Sequence, residues 1–262
     1  MSDNRNVLEE KARRIRVNTL RQIHCAGSGH QGGALSCADI LCYVYSIKTP
    51  DDFFILSKGH AAPALYAVFA EYGLLDESAL STFRQANSKL QGHPTTELPG
   101  IVTPTGSLGQ GTSVGVGIAM GLKYAKKPGR VVCLLGDGEL QEGIVWEAAM
   151  CAAHYHLDNL LWIVDYNGLQ SDAKVWDTMR VQPLWDKFNA FSWYVKEIDG
   201  NKMDDIEMAF NIPIDTLVTH PMVILAHTTK GKGVSFMEGK ASWHGSCQMT
   251  DDELKLALEE LA

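Results

Sequence analysis

At 262 residues with 45% hydrophobic content, the chain can bury one large core, and a single α/β domain is the simplest expectation. A formal net charge of -8 argues against nucleic acid or an anionic membrane as the main partner. No apolar run reaches membrane-spanning length, and the N-terminus, with Arg5, Glu9, Glu10, Lys11, Arg13 and Arg14, lacks the apolar core of a signal peptide. The cysteines (Cys25, Cys37, Cys42, Cys133, Cys151 and Cys247) show no CxxC and no zinc spacing, so reduced, structural thiols in a cytoplasmic protein are expected.

In chain order, residues 7–26 predict a helix that stops at Gly27-Ser28-Gly29. Helical patterns follow near 36–46, 60–73 and 111–126, with an apolar segment at 53–56 and a break at Pro128-Gly129. Residues 131–135 and 160–165 read as buried strands around a helix near 141–155, one βαβ unit with a right-handed crossover. A helix near 183–190, a strand near 193–198, a helix near 203–210 and a strand near 222–226 continue the alternation. The fold class is α/β, a doubly wound, mostly parallel sheet flanked by helices. No internal repeat or linker divides it, so residues 1–262 are read as one domain.

The most telling stretch joins the two central strands. Val131-Val132-Cys133-Leu134-Leu135 runs into Gly136-Asp137-Gly138, and Leu160-Leu161-Trp162-Ile163-Val164 leads to Asn167, thirty residues after Asp137. Parallel strands would place Asp137 and Asn167 together at their carboxyl ends, where open α/β sheets bind ligands. A carboxylate and an amide oxygen suit a magnesium ion that completes its shell from water and a diphosphate. The flanking glycines let backbone approach phosphate oxygens. Gly-Asp-Gly alone equally suits a tight strand-to-helix turn.

Gly29-His30-Gln31-Gly32-Gly33 follows a helix and reads as a mobile or closely approached loop. Ser57-Lys58-Gly59-His60-Ala61 lies where the 53–56 segment gives way to a helix, and Gln91-Gly92-His93-Pro94 falls in a turn-rich region. Thr105-Gly106-Ser107-Leu108-Gly109-Gln110-Gly111 opens the next helix. A lone histidine is more often a surface or capping residue than a catalytic one. Three of them beside glycine, in three separate loops, are not explained by turn chemistry. His24, His154, His156, His220 and His227 lack that signature and are read as structural.

These motifs, together with GDGELQEG at 136–143, NGLQSD at 167–172 and WHG at 243–245, carry a resemblance. From about residue 10 to 260 the chain resembles, in order and rough spacing, the thiamine-diphosphate-binding N-terminal domain of transketolases. The resemblance implies that His30, His60, His93 and His244 surround the reactive thiazolium carbon and the sugar hydroxyls. It implies that Asp137, Asn167 and the Leu169 carbonyl bind Mg²⁺, or Ca²⁺ or Mn²⁺ in its place. Gly138, Lys58 and Lys230 would approach the diphosphate, and Gly106, Ser107 and Leu108 would line the cofactor cleft. The alternative reading for either lysine is a solvated surface residue. The implied reaction moves a two-carbon ketol unit from a ketose to an aldose, and histidines that titrate near working pH suit its reversible proton transfers.

The chain departs from the family in three local ways. Gln31 stands where the family has proline, Gly-Ser-Leu-Gly at 106–109 replaces Gly-Pro-Leu-Gly, and the stretch between Tyr45 and Phe53 is shorter. The larger departure is length. The pyrimidine-binding domain, with the glutamate that helps activate the cofactor, and the C-terminal domain are missing. The resemblance therefore implies the N-terminal subunit of a split transketolase, with a C-terminal partner subunit, two copies of each chain and sugar phosphate substrates. Glu142 would lie at the subunit interface against the partner's catalytic glutamate; its alternative is a first-turn glutamate favoured by the helix dipole. Two further readings stay open: a related thiamine-dependent transferase, such as a deoxyxylulose-phosphate synthase or a specialised ketol transferase, and a non-catalytic cofactor-binding relic. The α subunit of a 2-oxo-acid dehydrogenase shares Gly-Asp-Gly…Asn but lacks the Gly-His-Pro and Ser-Lys-Gly-His loops.

Overall fold

Short apolar runs pair into one sheet in a computed structural model that describes residues 2–211, 219–245 and 248–262. The strands in chain order are β1 (Phe53–Leu56), β2 (Val131–Gly136), β3 (Leu160–Tyr166), β4 (Leu169–Gln170), β5 (Ala173–Lys174), β6 (Tyr194–Asp199) and β7 (Met222–His227). Five of them form a fully parallel sheet in the order β1-β2-β3-β7-β6, while β4 and β5 make a separate antiparallel hairpin. The central strands are buried on both faces, which is why they read as unbroken apolar runs rather than alternating ones.

Alternate strand residues feed two helical layers. Val132, Leu134, Leu161, Ile163 and Ile224 pack with α1 (Ser2–Ala26), α3 (Ala38–Ile47), α4 (Ala62–Glu71) and α9 (Met203–Phe210). Cys133, Leu135, Trp162, Val164 and Leu225 face the opposite layer of α5 (Gln110–Tyr124), α6 (Gly143–His154) and α8 (Leu184–Ala190). A third cluster of Leu20, Leu35, Val234, Met237 and Trp243 seats α10 (Asp251–Glu260) near α1. Because the strands run parallel, the carboxyl ends of β1, β2, β3 and β7 share one edge. That edge presents Lys58, Asp137, Asn167 and Lys230.

The expected alternation is present throughout, with three differences. Helix α1 begins at Ser2 rather than near residue 7. The β4–β5 hairpin and α7 (Val175–Thr178) were not expected, because two to four residues are too few to show a period. The segment after His30 is not a mobile loop: Gln31–Ser36 form a short, wholly buried helix, α2. A Cβ added at Gly32 would lie 2.6 Å from the Trp243 carbonyl oxygen, so glycine is what lets α2 lie flush against that segment. Cys25, Cys37, Cys42, Cys133 and Cys151 are free thiols, whereas Cys247 lies outside the described residues. Among the described residues no helix is long and apolar enough to cross a membrane.

Candidate active site

At the end of β2 the chain turns at Asp137 into a 3₁₀ turn, Gly138–Gln141. The Asp137 carboxylate is 1% exposed, with Oδ1 accepting the Gly138 N–H at 2.9 Å and Oδ2 the Gly168 N–H at 2.6 Å. Burial, reinforced by the Asp165 charge, pushes its carboxyl up to about 7. Asn167 follows β3, and its Oδ1 accepts the Leu169 N–H at 3.1 Å. Asp137, Gly138, Asn167 and Leu169 border one cleft. Among the described residues no group of three His, Cys, Asp or Glu side chains could hold a metal by itself. One buried anion beside neutral oxygens fits a hard divalent cation that takes its remaining ligands from a bound diphosphate.

His60 and His244 line the same cleft, and two further histidines cluster with them. The His30 ring centroid lies 5.3 Å from His60, 5.2 Å from His244 and 6.2 Å from His93, and His60 and His244 are 5.2 Å apart. Four residues from four loops therefore form one cluster, with His93 exposed at its outer rim. Close approach is built into the backbone: at Gly245 an added Cβ would collide with the His30 ring, and at Gly106 (φ +141) it would lie 3.2 Å from His93. His30 Nδ1 is buried without a hydrogen-bond partner.

The expectation that these histidines titrate near working pH is corrected by their surroundings. Burial, then neighbouring positive groups, lowers His30 to about 4 and His244 to about 3, and holds His60 well below its ordinary value. His93 is lowered by burial and by Arg84. The cluster is thus neutral at pH 7. Lys230 Nζ sits 2.9 Å from His244 Nδ1, and burial and Lys58 lower its ammonium only to about 8. A charged Lys230 must donate, so His244 Nδ1 accepts and its proton sits on Nε2.

Lys58 is not a solvated lysine. It is 1% exposed, its ammonium pairs with the Asp165 carboxylate, and it donates to the Gly33 carbonyl at 2.8 Å. Asp165 also accepts from Ser36 Oγ (2.6 Å), Thr228 Oγ1 and Asn167 Nδ2 (3.3 Å). Sequence reasoning passed over Asp165, although a carboxylate inside an otherwise apolar strand was a usable signal. It also passed over Arg84, whose charge acts on both His30 and His93 and which no motif flagged.

Leu108 lines the cleft, Gly106 packs beside His93, and Ser107 is exposed outside the lining. Glu142 stands exposed at the cleft mouth, at the start of α6, and makes no side-chain cap there. The remaining histidines find partners elsewhere, such as His24 with Asp251 at 3.0 Å and His227 with Glu197 at 2.5 Å.

Comparison with known proteins gives the family. The family described as the transketolase thiamine diphosphate binding domain matches residues 7–261. An apulose-4-phosphate transketolase subunit from Phocaeicola vulgatus is 40% identical over 90% of this chain and 88% of its own length. A 6-deoxy-6-sulfo-D-fructose transketolase subunit from a Clostridium species is 38% identical over 100% of this chain and 98% of its own. The crystal structure of Campylobacter jejuni transketolase superposes with a TM-score of 0.89 at 33% identity, covering 98% of this chain but only 43% of that one. A match running nearly end to end, on the fold that gathers these loops at one sheet edge, places the chain in the family of transketolase thiamine-diphosphate-binding domains.

Proposed function

We propose that this chain is the N-terminal subunit of a two-chain transketolase, transferring a two-carbon ketol unit from a ketose phosphate to an aldose phosphate. One observation carries the reading: His60 and His244 line a cleft together with Asp137, Asn167 and Leu169, and His30 and His93 cluster with them from separate loops. When bound, thiamine diphosphate supplies an acidic thiazolium carbon and an electron sink for carbon–carbon bond cleavage. Asp137, Asn167 and the Leu169 carbonyl would hold Mg²⁺, with Ca²⁺ or Mn²⁺ as substitutes. Lys230, Lys58 and Gly138 would face the diphosphate, and Gly106, Ser107 and Leu108 its cleft wall. The neutral imidazoles of His30, His60, His93 and His244 can both donate and accept at sugar oxygens, and the Nε2–H of His244 is fixed as a donor by Lys230.

Residues 1–262 form the diphosphate-binding domain in this reading, and the pyrimidine-binding and C-terminal domains lie on a partner chain. Two copies of each assemble in the cytoplasm. The lengths of the relatives support this: the chain matches subunits of its own size nearly whole and a full transketolase over 43%. The names of those subunits favour a specialised version, in which the sugar is an uncommon one such as apulose-4-phosphate or 6-deoxy-6-sulfo-fructose. Co-purification with the partner, followed by a screen of ketose donors that includes both compounds, tests the reading. Ketol transfer dependent on thiamine diphosphate and Mg²⁺ is expected. A stable complex that transfers from no donor would overturn it.

A further inference from the structure

Glu139 belongs to the turn after β2, is 2% exposed and is held by three neutral donors. Its Oε1 accepts from Ser57 Oγ at 2.5 Å and from the Gly109 N–H at 2.8 Å, and its Oε2 accepts from the Gly136 N–H at 3.1 Å. The donors come from three separate segments, and each adjoins a residue of the cleft. Ser57 precedes Lys58, Gly109 follows Leu108, and Gly136 precedes Asp137. The fit between these segments is tight: a Cβ at Gly111 would lie 2.6 Å from Ser57 Oγ, and one at Gly109 (φ +81) 2.6 Å from Ile144.

We propose that Glu139 is a positioning residue that holds the Lys58, Leu108 and Asp137 segments in the register that thiamine diphosphate and its cation require. The role rests on the cofactor reading above. An apolar side chain of the same volume could fill the space but would leave the Gly109 and Gly136 N–H groups and the buried Ser57 hydroxyl without this acceptor. Glutamine keeps the shape, but its amide nitrogen must face one of those donors. At least one segment then has to shift, and the site is no longer assembled before the cofactor arrives. Groups that support a metal site without binding the ion typically change affinity by about 10–100-fold when altered.

The test uses the chain in complex with its partner subunit. Thiamine diphosphate is titrated at saturating Mg²⁺, by calorimetry and by activity, for the wild type, Glu139→Gln, Ser57→Ala and the double variant. The expected result is a rise of about tenfold or more in the cofactor constant of Glu139→Gln, with kcat at saturating cofactor within about threefold of wild type. Ser57→Ala should show a smaller rise, and the double variant should fall short of the product of the two. A folded Glu139→Gln complex whose cofactor constant stays within about twofold of wild type overturns the role. If Glu139→Gln does not fold, an unchanged constant in Ser57→Ala overturns it instead. A wild-type complex that binds no thiamine diphosphate overturns the cofactor reading and this role together, whereas wild-type binding with unaffected variants overturns the role alone.

Discussion

Asp137 is the anionic member of the predicted cation site, and its replacement has the sharpest expected outcome. Asp137→Ala should abolish Mg²⁺-dependent binding of thiamine diphosphate, read by calorimetry on the assembled complex, because the diphosphate is left poorly neutralised. Unchanged affinity would remove Asp137 from the cation site. Its pH dependence follows from the buried carboxyl, which sits at about 7 against an ordinary 3.8. A folded-state value above the unfolded one means that the neutral carboxyl stabilises the cation-free chain fully below about pH 4. That contribution is lost as pH rises through about 7. Cation binding displaces this proton, so the melting-temperature gain from Mg²⁺ plus thiamine diphosphate should grow between about pH 5.5 and about pH 8. A gain independent of pH would count against Asp137 as the ligand. His30→Ala and His93→Ala should lower turnover by about 10²–10⁴-fold with far less effect on cofactor affinity. If kcat stays within about twofold, the imidazole in question only packs the loop. His30, ringed by three other imidazoles, and Asp137 were both legible in the sequence, because each lies next to a glycine that its local geometry needs.

At the scale of elements, legibility depended on length and period. The helices and strands of the main sheet were readable because a buried parallel strand is a continuous apolar run and an amphipathic helix repeats every three to four residues. Helix α2 was not, since six residues carry no period and their surroundings are distant in sequence: Gly32 lies against Trp243 and Lys230, and Gly33 against His60 and Lys58. The C-terminal helix α10 offers a control. Thr250 caps it and Glu253 closes the capping box, at a distance from the cleft residues. Thr250→Ala should lower stability by about 1 kcal/mol, a shift of about 2–4 °C in melting temperature, and leave the cofactor constant as in wild type. A changed cofactor constant in that variant would mean that α10 and the cleft are coupled.

For the whole molecule, the central expectation is incompleteness. The purified chain should be catalytically inert even when folded, and addition of the C-terminal subunit should restore ketol transfer. Robust transfer by the chain alone would sink the split-enzyme reading. Glu142 is exposed at the cleft mouth and, in the proposed reading, faces that partner. Glu142→Ala should impair the reconstituted complex while leaving metal binding largely intact, because a carboxylate there can share a proton with one across the interface. Equal activity of variant and wild-type complexes would return Glu142 to a helix-start role.

Sequence by itself determined the fold class, the family and the chemical cast: the apolar runs, the Gly-His loops and the Gly-Asp-Gly…Asn pair are local patterns, and local patterns are written in consecutive residues. The tertiary structure alone decided how those residues are charged and held. Lys58 pairs with Asp165 across 107 positions of sequence, and Ser57 meets Glu139 across 82. The histidines are neutral because burial and neighbouring positive groups, Arg84 among them, set their proton affinity. Burial and through-space charge depend on which segments the sheet brings to one edge, and no window of sequence contains that information.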